Sequence, residues 1–233
     1  MSATRPEVPD FAALPDDADP FAVVFVVNDS RDDSGNIAAE RDILQASSTA
    51  LIQLLTSEDE AVVALVREWT AGRIRKIVKR ARASAWDKAA VLEHPHTVAE
   101  HNGAKVLAFA PMRLSEQPKE LKKLQVTGLN SSDTAPADYG KRDHLEVSVN
   151  DSLNMSTGKV VAQVGHAVQL FMLYADPEQV KEWAVTGHLV KVVRAENISD
   201  DASAAIIVHD AGFTEVPSGS LTATADFKNM EGK

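Results

Sequence analysis

This sequence predicts an α/β protein made of two tandem similar units, each a mixed four-stranded sheet flanked by helices, packed together as a pseudo-dimer. Three observations predict it. Apolar, β-branched runs alternate with segments of helical period along the chain. One ordered set of segments occurs twice. The last strand of each set arrives over a short loop, which makes the sheet mixed rather than all parallel.

Phe21–Val27 is a near-continuous β-branched and aromatic run, the pattern of a strand buried on both faces. Its counterpart has Leu145, Val147 and Val149 alternating with Glu146 and Ser148, so one face of that strand is wetter. Between Val160 and Tyr174, residues Val160, Val164, Ala167, Val168, Phe171 and Leu173 form an apolar helical surface. Pro177 fits the first turn of a second helix, capped by Asp176 and ending at Gly187. Strands follow at Leu189–Arg194, Ala205–Val208 and Leu221–Ala225.

The repeat is legible residue by residue. Phe21–Ser30 resembles His144–Ser152, and the polar turn with Gly35 matches the one with Gly158. Val66-Arg-Glu-Trp69 mirrors Val180-Lys-Glu-Trp183, and Arg73–Lys79 mirrors His188–Arg194. Gly72 to Gly103 is 31 positions and Gly187 to Gly219 is 32. Gly35 to Trp69 is 34 positions against 25 from Gly158 to Trp183, implying a longer helical region in the first copy. The expected organisation is an acidic mobile arm at 1–18, a first unit at 19–114, a linker at 115–140 and a second unit at 141–233. The linker holds the turn-rich stretch Asn130–Pro136, with one helical turn expected near Lys119–Leu124.

Composition narrows the function classes. The chain has 233 residues, no cysteine and a net charge of −10, so thiolate metal sites and cysteine nucleophiles are excluded. Its longest apolar run is far too short to cross a bilayer, and a soluble cytoplasmic protein is expected. The acidity falls mostly on residues 129–233, net −7, against −3 for residues 1–128. Within the less acidic part lies the basic stretch Arg73–Arg82. It reads either as a strand with solvated cations or as a phosphate-contacting patch, with Arg73, Arg75, Lys76, Lys79 and Arg80 as RNA contacts.

Two segments carry chemistry. In Asn154–Gln169, Ser156 or Thr157 can cap a helix whose free N–H groups and positive dipole end face the preceding turn. Lys159, Gln163 and His166 stand at i, i+4 and i+7 on one face of that helix. A cation, an amide and an imidazole there suit an anion or a polarised carbonyl, or else a solvated face with His166 hydrogen-bonded in the core. In Val208–Ser220, Asp210 ends an apolar strand and opens a loop with Gly212 and Gly219. Its carboxylate can orient water or act as a base with Thr214 nearby, or simply make a turn.

Taken together, Met155, Gly158, Lys159, Gln163, His166 and Ala167, then Asp210, Ala211, Gly212, Thr214, Pro217 and Gly219, resemble the type 2 peptidyl-tRNA hydrolases in order and spacing. The resemblance covers about residues 144–226. It implies hydrolysis of the ester joining a peptide to the 3′ ribose of tRNA, without metal or organic cofactor. Asp210 would orient or deprotonate water with Thr214, Lys159 would stabilise oxyanion or phosphate charge, and Gln163 and His166 would position the site. Tandem units would form a monomer with an internal pseudo-two-fold, with tRNA or peptidyl-tRNA as partner and no membrane. The chain departs from the family pattern at His209, Phe213 and Glu215. The repeat pairs Lys159 with Asn36, Gln163 with Glu40, His166 with Ile43 and Asp210 with His94, so the site is expected to be erased in the first unit. A noncatalytic RNA- or protein-binding module, or a hydrolase of another acyl ester, would fit the same fold.

Overall fold

The computed structural model describes residues 14, 17–199, 204–211 and 215–230. The first unit contains β1 (Phe21–Asn28), α1 (Glu40–Leu55), α2 (Glu60–Thr70), β2 (Arg75–Ala81), α3 (Ser84–Ala90), β3 (His96–His101) and β4 (Ala104–Arg113). After α4 (Lys119–Lys122) the second unit contains β5 (His144–Asn150), α5 (Thr157–Tyr174), α6 (Pro177–Val185), β6 (Val190–Ala195), β7 (Ile206–His209) and β8 (Leu221–Lys228). The sheets have the same strand order, β2-β1-β4-β3 and β6-β5-β8-β7. In each, the first two strands run parallel and the last two are antiparallel to their neighbours. Among the described residues, no helix is long and apolar enough to cross a membrane.

Local contacts recur with the topology. Trp69 Nε1 donates to Arg75 O at 3.1 Å, and Trp183 Nε1 donates to Leu189 O at 2.8 Å, six residues on in both. Arg80 pairs with Asp29 at 2.9 Å as Arg194 pairs with Asp151 at 2.9 Å. Ile74 and His188 both take positive φ where the chain turns into β2 and β6. Such backbone is costly for a β-branched residue, so its presence at matching places reflects shared geometry.

Helix starts follow their capping chemistry. Asp59 accepts from Ala61 N and Val62 N at the start of α2, and Asp176 accepts from Glu178 N before Pro177 opens α6. At α5 the cap is Ser156, whose hydroxyl accepts from Lys159 N at 3.1 Å. Thr157, the other capping candidate, is the first helical residue and is buried.

β1 is continuous in apolar residues because both faces are covered. Val23, Phe25 and Val27 join the main core with α1 and α2, while Val24 and Val26 pack beneath α3 and α4 with Leu107, Phe109 and Leu121. The second unit lacks a counterpart to α3 among its described residues. Accordingly β5 turns Leu145, Val147 and Val149 inward and leaves Glu146 and Ser148 partly exposed.

The main core runs through both units, with α1 against α5 at its centre. Their first residues meet: Thr157 Oγ1 donates to Glu40 Oε2 at 2.7 Å. Gln45 of α1 takes the Val190 N–H of β6 at 2.8 Å, while Lys76 of β2 reaches α5. The linker lies at both helix starts, where Leu129 O accepts from Gly158 N and Asp133 O accepts from Glu40 N.

Candidate active site

Lys159 and Gln163 lie one turn apart on α5, and β7 delivers Asp210 to them. Lys159 Nζ is 2.6 Å from Asp210 Oδ2, and Gln163 Nε2 donates to the same oxygen at 2.7 Å. Thr222 Oγ1 in turn donates to Gln163 Oε1 at 2.6 Å, which fixes the amide so that its NH2 faces the carboxylate. Both charged side chains are 9% exposed, so their attraction acts in a poorly hydrated setting. Asp210 is held on the backbone too: its N–H donates to Ser220 O at 2.9 Å, and Gly219 N donates to its carbonyl at 2.7 Å. Gly219, at φ +79°, makes the tight return that this pairing requires.

Glu215 ties the loop after β7 to the start of α5. Its carboxylate accepts from Ser156 N at 2.9 Å and Ser156 Oγ at 2.6 Å. An acid at a helix N-terminus is favourably placed against the dipole. Thr214, the expected partner of Asp210, and Gly212 lie outside the described residues.

His166 is placed differently from the other α5 residues. Its Nδ1 is 3.1 Å from Lys76 Nζ of the first unit, and none of its described bonds is to Asp210. Burial, then the Lys76 and Lys159 charges, hold the imidazole well below its usual range, so it is neutral near pH 7.

The basic stretch is not a solvated strip. Lys76 donates to Gln169 at 2.5 Å, Lys79 donates to Leu121 O at 2.7 Å beneath α4, and Arg80 holds Asp29 at 2.9 Å and Thr127 O at 2.7 Å. Strand alternation explains this: β2 is covered on both faces, so its successive cations point into packed protein. Burial lowers the pKa of both Lys76 and Lys79. Four of the five expected RNA contacts, Lys76, Lys79, Arg80 and Arg73, are thus engaged internally. Arg73 and Arg75 are half-buried, with Arg73 donating to Leu14 O at 2.7 Å, and the neighbouring Arg82 is exposed.

Register also corrects the expected pairing between units. Eleven residues separate β1 from α1 against six between β5 and α5, so aligning Gly35 with Gly158 slips every later helix position. Counted from the helix starts, Lys159 corresponds to Asp42, Gln163 to Ala46 and His166 to Thr49. The strand end opposite Asp42 carries His101, 3.7 Å away, and Asn102, which donates to it at 2.9 Å. The first unit therefore has the carboxylate on the helix, with an imidazole and an amide at the strand end. Sequence reasoning missed Thr222, and it read Lys76 as an RNA contact rather than as a neighbour of α5. Alternating Thr222 and Thr224 in an apolar strand was the available signal for the first; the contact of Lys76 with α5 had none.

Residues 144–226 match the sequence model of the family described as Peptidyl-tRNA hydrolase PTH2. The chain is 30% identical over 107 residues to a probable peptidyl-tRNA hydrolase 2 of Caenorhabditis elegans, covering 40% of this chain and 34% of that protein. It is 36% identical over 94 residues to a peptidyl-tRNA hydrolase of Methanocaldococcus jannaschii, covering 35% of this chain and 82% of that one. The match thus spans about a third of the nematode protein and most of the archaeal one. No solved structure matches the chain significantly.

Proposed function

Because the chain belongs to the PTH2 peptidyl-tRNA hydrolase family, we propose that its second unit hydrolyses the ester between a peptide and the 3′ ribose of tRNA. The observation that carries this reading is the junction of Lys159, Gln163 and Asp210 at the start of α5. Water attacks the ester carbonyl as Asp210 orients it and accepts its proton. Lys159 stabilises the negative charge that develops on the carbonyl oxygen. The carbon–oxygen bond to the ribose then breaks, and the departing 3′ oxygen takes the proton back. Gln163, steered by Thr222, keeps the carboxylate in register with the ammonium. Thr214 is assigned a share of water orientation by its place in the motif.

The two units are read as a pseudo-dimer closed within one cytoplasmic chain, with 19–114 as scaffold and 141–233 as hydrolase. Support comes from reciprocal contacts, β2 against α5 and α1 against β6. Tests begin with release of peptide from peptidyl-tRNA by the wild type and Asp210→Ala. Cleavage by the first alone supports the reading. Esterase activity that ignores the tRNA, or no hydrolysis at any pH, replaces it with the acyl-ester or binding-module alternative.

A further inference from the structure

The first unit places a lysine in the site helix of the second. Lys76, from β2, inserts its Nζ between two side chains of α5: it lies 3.1 Å from His166 Nδ1 and donates to Gln169 Oε1 at 2.5 Å. Ile74 O lies 3.5 Å away, and the Trp69 ring covers the group with its centroid at 4.7 Å. Gly165 makes the approach possible, since a Cβ there would stand 3.0 Å from Lys76 Cδ. Gln169 is fully buried and turns its oxygen to Lys76 although this leaves its Nε2 without a hydrogen-bond partner among the described residues. An amide left half-satisfied in that way has been oriented by the cation.

Burying a lysine with no carboxylate beside it among the described residues is expensive, and an apolar side chain would fill such a place at less cost. Four features nevertheless converge on it: the space at Gly165, the acceptor of Gln169, the face of Trp69 and the imidazole of His166. The last of these is on the motif face of α5, one turn beyond Gln163.

We propose that Lys76 is a positioning residue, supplied by the first unit, that locks the ring of His166 in one orientation and one tautomer for the second unit's site. As an ammonium, which has no lone pair, Nζ gives one proton to Gln169 Oε1 and another to Nδ1. Nδ1 then accepts, and the ring's own proton sits on Nε2. The ring's second nitrogen is then a donor whose direction is fixed by the contact at Nδ1. The first unit is therefore a working part of the hydrolase although it lacks the lysine–aspartate junction of the second. This inference rests on the hydrolase reading for its catalytic consequence alone.

Nitrogen NMR of the full chain labelled in its seven histidines reads the tautomer without any assay, His166 being identified by its loss in His166→Asn. The wild type should show Nε2–H, and Lys76→Met should convert His166 to a mixture of tautomers. In peptidyl-tRNA cleavage, Lys76→Met should lower kcat about tenfold at unchanged KM, and cost nothing further in a His166→Asn background. Since the chain has no cysteine, Lys76→Cys alkylated with 2-bromoethylamine restores the cation at one position and should restore both readouts. An unchanged His166 tautomer in Lys76→Met overturns the proposal, as does an equal loss of kcat in the His166→Asn background. A wild type that fixes the tautomer yet cleaves no peptidyl-tRNA keeps the positioning and removes the hydrolase.

Discussion

Glu40 and Arg194 face each other across the boundary between the units, with Arg194 donating from Nε at 2.8 Å and from Nη2 at 2.7 Å to the two carboxylate oxygens. They lie 154 positions apart, and Glu40 is almost fully buried. The same carboxylate accepts from Thr157 Oγ1, so one acid links α1, α5 and β6. Glu40→Ala should destabilise the chain by about 1.5–3 kcal/mol, because it removes the bidentate acceptor of Arg194 and the acceptor of Thr157 Oγ1 and leaves the guanidinium with Asp151 alone. Replacing both partners with Glu40→Leu and Arg194→Met should recover much of that loss. Urea midpoints of the two variants give the comparison.

Removal of either charge at the junction should stop turnover without unfolding the protein. Lys159→Ala is expected to lower kcat by about two to three orders of magnitude, as loss of an oxyanion donor does elsewhere. Asp210→Asn should cost at least as much, since the amide can take no proton from water. Peptidyl-tRNA cleavage at saturating substrate measures both. Retention of wild-type kcat by either variant would remove that residue from the mechanism.

Gln163 connects a buried hydroxyl to a buried carboxylate, so its loss should be felt in stability before rate. Gln163→Leu should cost about 1–3 kcal/mol, the penalty for an acceptor left short of a donor. Thermal unfolding checks the size. A companion Thr222→Val change should reproduce part of the effect by freeing the amide to turn.

The corresponding position in the first unit gives a control. Asp42→Asn keeps the shape of the carboxylate beside His101 and Asn102 while removing its charge. Cleavage should be unaffected. A fall in kcat comparable to that of Asp210→Asn would show that both units carry chemistry.

Acid should weaken the fold through His166. Its imidazole is held neutral in the folded protein by burial and by Lys76 and Lys159, whereas in the unfolded chain it binds a proton below about pH 6.5. More protons on the unfolded state mean that stability drops as pH falls from about 6.5 toward the lowered folded value. Chemical denaturation between pH 7 and 5 should show a shallower fall in His166→Asn than in the wild type. Parallel curves would place the acid sensitivity in other groups.

Much of this protein was determined by local sequence. Period-two and helical patterns gave the strands and helices, Asp176-Pro177 started α6, and the internal likeness announced two sheets of one design. Lys159, Gln163 and Asp210 were legible because helix spacing and a strand end place side chains by rules that act over a few residues. Tertiary structure decided which charges face water. The cations of β2 read as a solvated strip until α4 covered one face and α5 the other, drawing Lys79 and Lys76 inside. It also decided the partner of His166, which lies 90 positions away and comes from the other unit. The physical reason is common to both cases. Burial and electrostatic pairing depend on what packs against a surface, and a chain folds residues distant in sequence onto one another without marking them beforehand.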